Sequence, residues 1–269
     1  MAPAGRSDPS VRAAETTLRV LETVAFSEDE LGVTQIADRL GLTKGAVFRH
    51  LHGLVDRGYL TQNPTTSHYR LGVKAYLIGR LAPRANDLAG SAEGPMRKLS
   101  EQSGITTVLT TPTAHGCMVL NTVLASRTIE IGVRPGSELS FHTSAQGKIM
   151  LAFGPTPLLE RTLKTKLAAL TPHTITSTAK LRMEITKVRQ QAYATAPEEA
   201  LLGINALAAP VFNMRDELVA AAALVGSIQY IPRNPDRQMI EAVKRMAQSI
   251  SRNLGHGFAS WQERARRIS

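Results

Sequence analysis

The sequence holds a single cysteine, Cys117, among 269 residues. One thiol excludes an internal disulfide framework and a cysteine-rich zinc site. No apolar run reaches the roughly 18 residues that a membrane-spanning helix needs. The first ten residues, MAPAGRSDPS, contain no apolar stretch of the kind a secretory signal carries. The expected setting is cytoplasmic. Catalytic signatures are missing as well. Gly-x-Ser-x-Gly is absent, no His-x-x-x-His or Cys-x-x-Cys spacing offers a zinc site, and Gly147-Lys148 lacks the upstream glycine of a phosphate loop. No metal and no cofactor are expected. Acidic residues are the scarcer charge, 22 against 32 Lys and Arg, for a net of +10. That surplus hints at a polyanionic partner. Residues 1–75 nevertheless carry nine basic and eight acidic residues, so most of the surplus lies in the C-terminal half.

What is present suits two ordinary domains with real cores: 43% of the residues are hydrophobic and 20% charged. Residues 1–9 are small, polar and Pro-containing, and are expected to be mobile. Val11, Ala14, Leu18, Leu21, Val24 and Ala25 recur at helical spacing. Thr34 is expected to cap a second helix over 35–40, which Gly41 stops. Thr43 caps a third, lined by Val47, Leu51, Leu54 and Val55 and ended by Gly58. A strand, a turn and a strand follow, around Tyr59-Leu60-Thr61 and Tyr69-Arg70-Leu71. Residues 72–104 read as a connecting helix, a break, and the first helix of a new domain, with Pro83 and Pro95 inside. Beyond them, strands are expected at 105–109, 117–123, 128–133, 204–211 and 218–225, and helices at 145–153, 181–191 and 236–258. Mixed sheet and helix in that order indicates an α/β or α+β sensor-like domain.

Residues 33–51 follow helix-turn-helix logic. Ile36, Ala37, Leu40, Val47 and Leu51 are apolar where two helices must pack, and Gly41 occupies the turn. The second helix then opens with Thr43, Lys44, Gly45 and Ala46. Small residues there permit close approach to DNA, and the helix N-terminus favours phosphate. Arg49 and His50 are read as lying on the outer side, where Arg49 suits guanine or phosphate. Between Gly41 and Arg70, Lys44, Arg49, Arg57 and Arg70 oppose Asp56 alone. The acidic run Glu28-Asp29-Glu30 is expected to face away. The hairpin tip Thr65-Thr66-Ser67-His68, with Arg70, would lie along the sugar-phosphate backbone as a wing.

The arrangement Thr16-Thr17-Leu18-Arg19-Val20-Leu21-Glu22, Thr34-Gln35-Ile36-Ala37, Gly41-Leu42-Thr43-Lys44-Gly45-Ala46-Val47-Phe48-Arg49, Gly58-Tyr59-Leu60 and Tyr69-Arg70-Leu71-Gly72 resembles the winged helix-turn-helix of IclR-type bacterial transcription regulators. The likeness continues through Arg134-Pro135-Gly136, the stretch from His142-Thr143-Ser144 to Gly147-Lys148, Leu170-Thr171-Pro172, and the stretch from Gly203-Ile204-Asn205 to Pro210-Val211. It spans residues 10 to 255. It implies an α+β chain with a winged helix-turn-helix DNA-binding domain at 10–72, a linker helix at 73–90 and a GAF-like effector-binding domain at 91–258. The DNA-binding residues would be Thr34, Thr43, Lys44, Gly45, Ala46, Phe48, Arg49, His50, His68 and Arg70. The partners would be an operator of palindromic or repeated half-sites, a small organic acid, and a second or further copy of the chain in a dimer or tetramer.

Carried onto this sequence, the effector pocket would include Ile131, Leu139, Ser144, Ala145, Gln146, Asn205, Ala206, Ala223 and Val225. Ser144-Ala145-Gln146 opens a helix, whose free N–H groups suit a carboxylate. The chain departs from the family where Ala194-Thr195-Ala196-Pro197 replaces acidic residues, where Ala206 stands for Cys, and where Ala223-Leu224-Val225 replaces Ser-x-Ser. A less polar pocket follows, suited to an aromatic or branched carboxylate more than to a small α-keto acid. The same alanines and valine equally suit a packed, closed core. Regulation as a repressor of a catabolic operon is the expectation. The alternative is a small-acid enzyme fused to a nucleic-acid-binding module, with Ser144 as nucleophile and His142 or His115 as base.

Overall fold

The computed structural model describes residues 9–27, 29–81, 88–125 and 131–257. The chain divides into two compact units, residues 1–84 and 85–269. Among the described residues, no helix is long and apolar enough to cross a membrane.

In the first unit, α1 (Pro9–Ala25), α2 (Val33–Leu40) and α3 (Lys44–Asp56) precede a hairpin of β1 (Leu60–Gln62) and β2 (Tyr69–Leu71), then α4 (Val73–Leu81). Val20, Val24, Leu31, Ile36, Ala37, Val47, Leu51, Leu54, Leu60 and Tyr69 form its core. The α1 face is narrower than its spacing predicts: Val20 and Val24 are buried, whereas Val11 and Leu18 are more than half exposed. Thr34 is not the cap of α2. Gly32 takes that position, and its N–H donates to Gln35 Oε1 at 2.8 Å, a role a side chain three residues on can fill without a hydroxyl.

The second unit is a six-stranded antiparallel sheet in the order β5-β4-β3-β8-β7-β6. Its strands are β3 (Thr106–Pro112), β4 (Gly116–Val123), β5 (Glu138–Ser140), β6 (Ala194–Thr195), β7 (Ile204–Phe212) and β8 (Leu218–Ser227). Its helices are α5 (Leu88–Ser103), α6 (Ala145–Phe153), α7 (Thr156–Leu163), α8 (Thr178–Gln191) and α9 (Arg237–Asn253). No strand continues over 131–133; 126–130 and Pro83 lie outside the described residues, as do 1–8 and 258–269. Pro95 sits inside α5 instead of ending it. Proline cannot donate to the Ser91 carbonyl one turn back, and Asn253 Nδ2 from α9 supplies that bond at 2.9 Å.

Every residue of α6 is buried, Lys148 included. Lys148 Nζ donates to Glu199 Oε1 at 2.5 Å and to the Thr195 carbonyl at 2.9 Å, and lies 3.5 Å from Glu184 Oε1. One ammonium thus ties α6 to α8, β6 and the turn before β7. A Cβ on the preceding Gly147 would stand 2.3 Å from the Phe141 carbonyl, so the close entry of the chain into α6 requires glycine there.

Cys117 is fully buried on β4. Burial, with Glu138 nearby, pushes its thiol up to about 12, and only a thiolate is a good nucleophile. A chromogenic thiol reagent is therefore expected to label the chain only after unfolding. Rapid labelling of the native protein would contradict this.

Candidate nucleic-acid interface and effector site

Gly41 closes α2 at φ +65°, and Leu42 N donates to the Ala37 carbonyl at 3.0 Å. The chain then reverses into Thr43, whose Oγ1 accepts the Ala46 N–H at 3.3 Å and caps α3. Thr34, Thr43, Lys44, Gly45 and Arg49 are exposed, and Ala46 is half-buried. A Cβ on Gly45 would meet no heavy atom within 4 Å, so this turn faces open space. Phe48 is 51% exposed, and its ring lies 6.4 Å from that of His52. Within the first unit, the N-terminal turn of α3 therefore presents exposed donors, a cation and an aromatic ring.

Three residues sit differently from their sequence reading. His50 is half-buried, and its Nδ1 is 2.8 Å from Thr17 Oγ1, because α1 crosses α3 on that side. His68 is half-buried with its ring over Gly32 at the start of α2, so it supports the wing from within. Glu30 does not face away. It accepts from Asn63 Nδ2 at 3.0 Å and lies 3.5 Å from Arg70. An isolated bridge between Leu31 and Tyr69 draws Glu30 against the hairpin. Arg70 thus carries a counter-ion, whereas Lys44, Arg49 and Arg57 have no ion pair among the described residues. At the hairpin tip, Asn63 Oδ1 accepts from Thr65 N and Thr66 N and shapes the turn.

In the second unit the effector candidates divide into groups. Ile131 and Val225 line one small cavity of about 30 Å³ with Thr106, Ala125 and Tyr230. Register places Ala206 opposite Val225, and Ala223 two residues along on the same face. Leu139 lies at the other end of the sheet, where β5 pairs with Cys117 and Cys117 with Pro112. Ser144, Ala145 and Gln146 start α6 close to β5 and are buried. Ser144 Oγ accepts the Gly147 N–H at 3.0 Å and donates to the Ser140 carbonyl at 2.8 Å. It is thus a cap, bonded to neither histidine. His142 Nε2 instead reaches the Ala168 carbonyl at 3.0 Å.

Asn205 is fully committed to the fold. Its Oδ1 accepts from Ala196 N and Ala206 N at 3.3 and 2.8 Å, and its Nδ2 donates to the Ile231 and Pro232 carbonyls, each at 3.0 Å. A primary amide has little capacity beyond those four bonds, so Asn205 fastens β7 to the segment before α9. Sequence reasoning missed this role and the Lys148 network. A lone lysine in the apolar stretch 145–153 was the available signal for the latter.

Comparison with known proteins follows this geometry. Residues 82–252 match the profile of the bacterial transcriptional regulator IclR C-terminal domain, and residues 13–64 that of the IclR helix-turn-helix domain. The chain is 28% identical over 250 residues to the glycerol operon regulatory protein of Streptomyces griseus, covering 92% of this chain and 98% of that one. It is 27% identical over 217 residues to the transcriptional repressor IclR of Escherichia coli, covering 80% and 79%. Among solved structures, an IclR homologue from Microbacterium hydrocarbonoxydans complexed with 4-hydroxybenzoate superposes with a TM-score of 0.76 at 20% identity, covering 90% and 99%. An IclR regulator from Alicyclobacillus acidocaldarius gives 0.74 at 25% identity, covering 93% and 100%. With both of its units matched, the chain belongs to the IclR family of transcriptional regulators, which bind DNA through the helix-turn-helix.

Proposed function

We propose that the chain is a ligand-controlled repressor of a catabolic operon. It reads a palindromic or repeated operator through the N-terminal turn of α3. The exposed, capped and uncovered start of that helix carries this reading. Thr43, Lys44, Gly45 and Ala46 approach the phosphates and base edges, Arg49 pairs with guanine or phosphate, and Phe48 suits a thymine methyl. Thr34 and Arg70 contact the backbone on either side. His50 and His68 act indirectly, by holding α3 to α1 and the wing to α2.

One recognition helix buries too little surface for tight specific binding, so two copies engage two half-sites. Exposed Val11 and Leu18 on α1, with Tyr76, Leu77 and Ile78 on α4, supply apolar surface for pairing as a dimer, which a tetramer would double. The linker segment 73–90, of which residues 82–87 lie outside the described residues, carries the signal between the DNA-binding domain at 10–72 and the effector-binding domain at 91–258.

The effector is a small organic acid, and an aromatic carboxylate fits best. Apolar Ala206, Ala223 and Val225 share one sheet face with the Ile131 cavity, and a relative of the same fold holds 4-hydroxybenzoate. Ser144, Ala145 and Gln146, at the β5 end of the sheet, stand apart from this cavity, and Ser144 already caps Gly147. About 30 Å³ holds a water and no organic acid. Binding therefore opens the cavity, and that difference between states is what an effector exploits. Calorimetric titration with benzoate-type acids, glyoxylate and pyruvate tests this. Saturable binding of an aromatic acid that also changes operator affinity is expected. Tight glyoxylate binding with no aromatic response would overturn it.

A further inference from the structure

His115 and His142 are 27 positions apart, and neither serves the DNA or the effector reading. The fold brings them to one cavity of about 360 Å³, between the β3–β4 turn, the approach to α6 and the end of α7. Arg161 and Lys166 line the same cavity together with Ser140, and no aspartate or glutamate is among the described lining residues. Two of these groups are held by backbone. Arg161 donates one N–H to the Ala114 carbonyl at 2.9 Å, which fixes the direction of its guanidinium. His142, nine-tenths buried, bonds the Ala168 carbonyl at 3.0 Å. A carbonyl only accepts, so His142 Nε2 carries the hydrogen.

We propose that this cavity binds the phosphate group of a small phosphate monoester, at a site separate from the proposed effector pocket. A guanidinium, an ammonium, two imidazoles and a hydroxyl line the cavity, and none of its described lining residues is a carboxylate. A dianion with three terminal oxygens uses that many donors, whereas a single carboxylate leaves most of them idle. The volume exceeds that of phosphate and admits an organic body of sugar size.

Titration calorimetry on the full chain with glucose 6-phosphate, inorganic phosphate and glucose tests the site. Saturable binding of glucose 6-phosphate and of phosphate, with none of glucose, is expected. The double variant Arg161→Gln/Lys166→Gln removes two exposed side chains and should keep the native unfolding temperature. It is expected to weaken phosphate-ester binding about tenfold or more. Arg49→Ala, which tests the α3 N-terminus as a rival phosphate site, is expected to leave it unchanged. The proposal is overturned by absence of saturation in the wild type, by equal binding in the double variant, or by loss of binding in Arg49→Ala.

Discussion

Replacing Lys148 with alanine is expected to destabilise the second unit by about 3–5 kcal/mol, a large share of an ordinary domain's stability. The reason is what remains behind. Glu199 is 4% exposed, and its Oε2 has no hydrogen-bond partner among the described residues even in the intact protein. Burial already raises its carboxyl above the usual range, with Lys148 pulling the other way. Without Lys148 the carboxylate is buried without its counter-ion, with only the Ile175 backbone N–H favouring its charge. In calorimetry the unfolding temperature should fall by roughly 10 °C. The double change Lys148→Met/Glu199→Gln, which removes both charges while keeping volume, should recover most of the loss. The pH dependence has a definite sign. A carboxyl whose folded pKa is raised stabilises the fold below its unfolded pKa and loses that contribution as pH rises through the folded value. The deficit of Lys148→Ala relative to wild type should therefore shrink as pH falls from about 7 to about 5. A deficit independent of pH, or a double variant as unstable as the single one, would contradict the account.

The double variant Lys44→Ala/Arg49→Ala is expected to lose about 100-fold in affinity for fragments selected from genomic DNA, since each good contact is worth roughly 1–3 kcal/mol. Both side chains are exposed and neither takes part in the core, so the native unfolding temperature should persist. The log–log slope of affinity against salt should also become shallower, by about one for each phosphate contact removed. Unchanged affinity and slope would move the interface away from α3.

The parts of the fold that were legible in the sequence were set by neighbours in the chain. Gly41 and Thr43 turn and cap within a few residues, and the apolar stretches 145–153 and 204–211 announce α6 and β7. What escaped depends on distant partners. Pro95 stays inside a helix because Asn253 replaces its missing bond. Asn205 is consumed by carbonyls 26 and 27 residues away, so it leaves the effector list. Glu30 meets Arg70 only once the hairpin closes on Leu31. The strands β5 and β6, three and two residues long, are too short for an alternating pattern to register. Net charge was a poor guide for the same reason: it does not say which cations face one another across a cavity.

The central claim is that the N-terminal turn of α3 sits against the bases of the operator. Gly45→Cys tests it most directly, because the turn is open at that position and the native Cys117 is buried, with its thiol pushed up to about 12. An iron-chelate cleavage reagent attached at position 45 is then carried into the complex with a selected fragment. Two clusters of strand cuts inside the protected region are predicted, separated by about one helical turn of DNA or a multiple of it. A protected fragment left uncut, or cut only outside the protected region, would contradict the account.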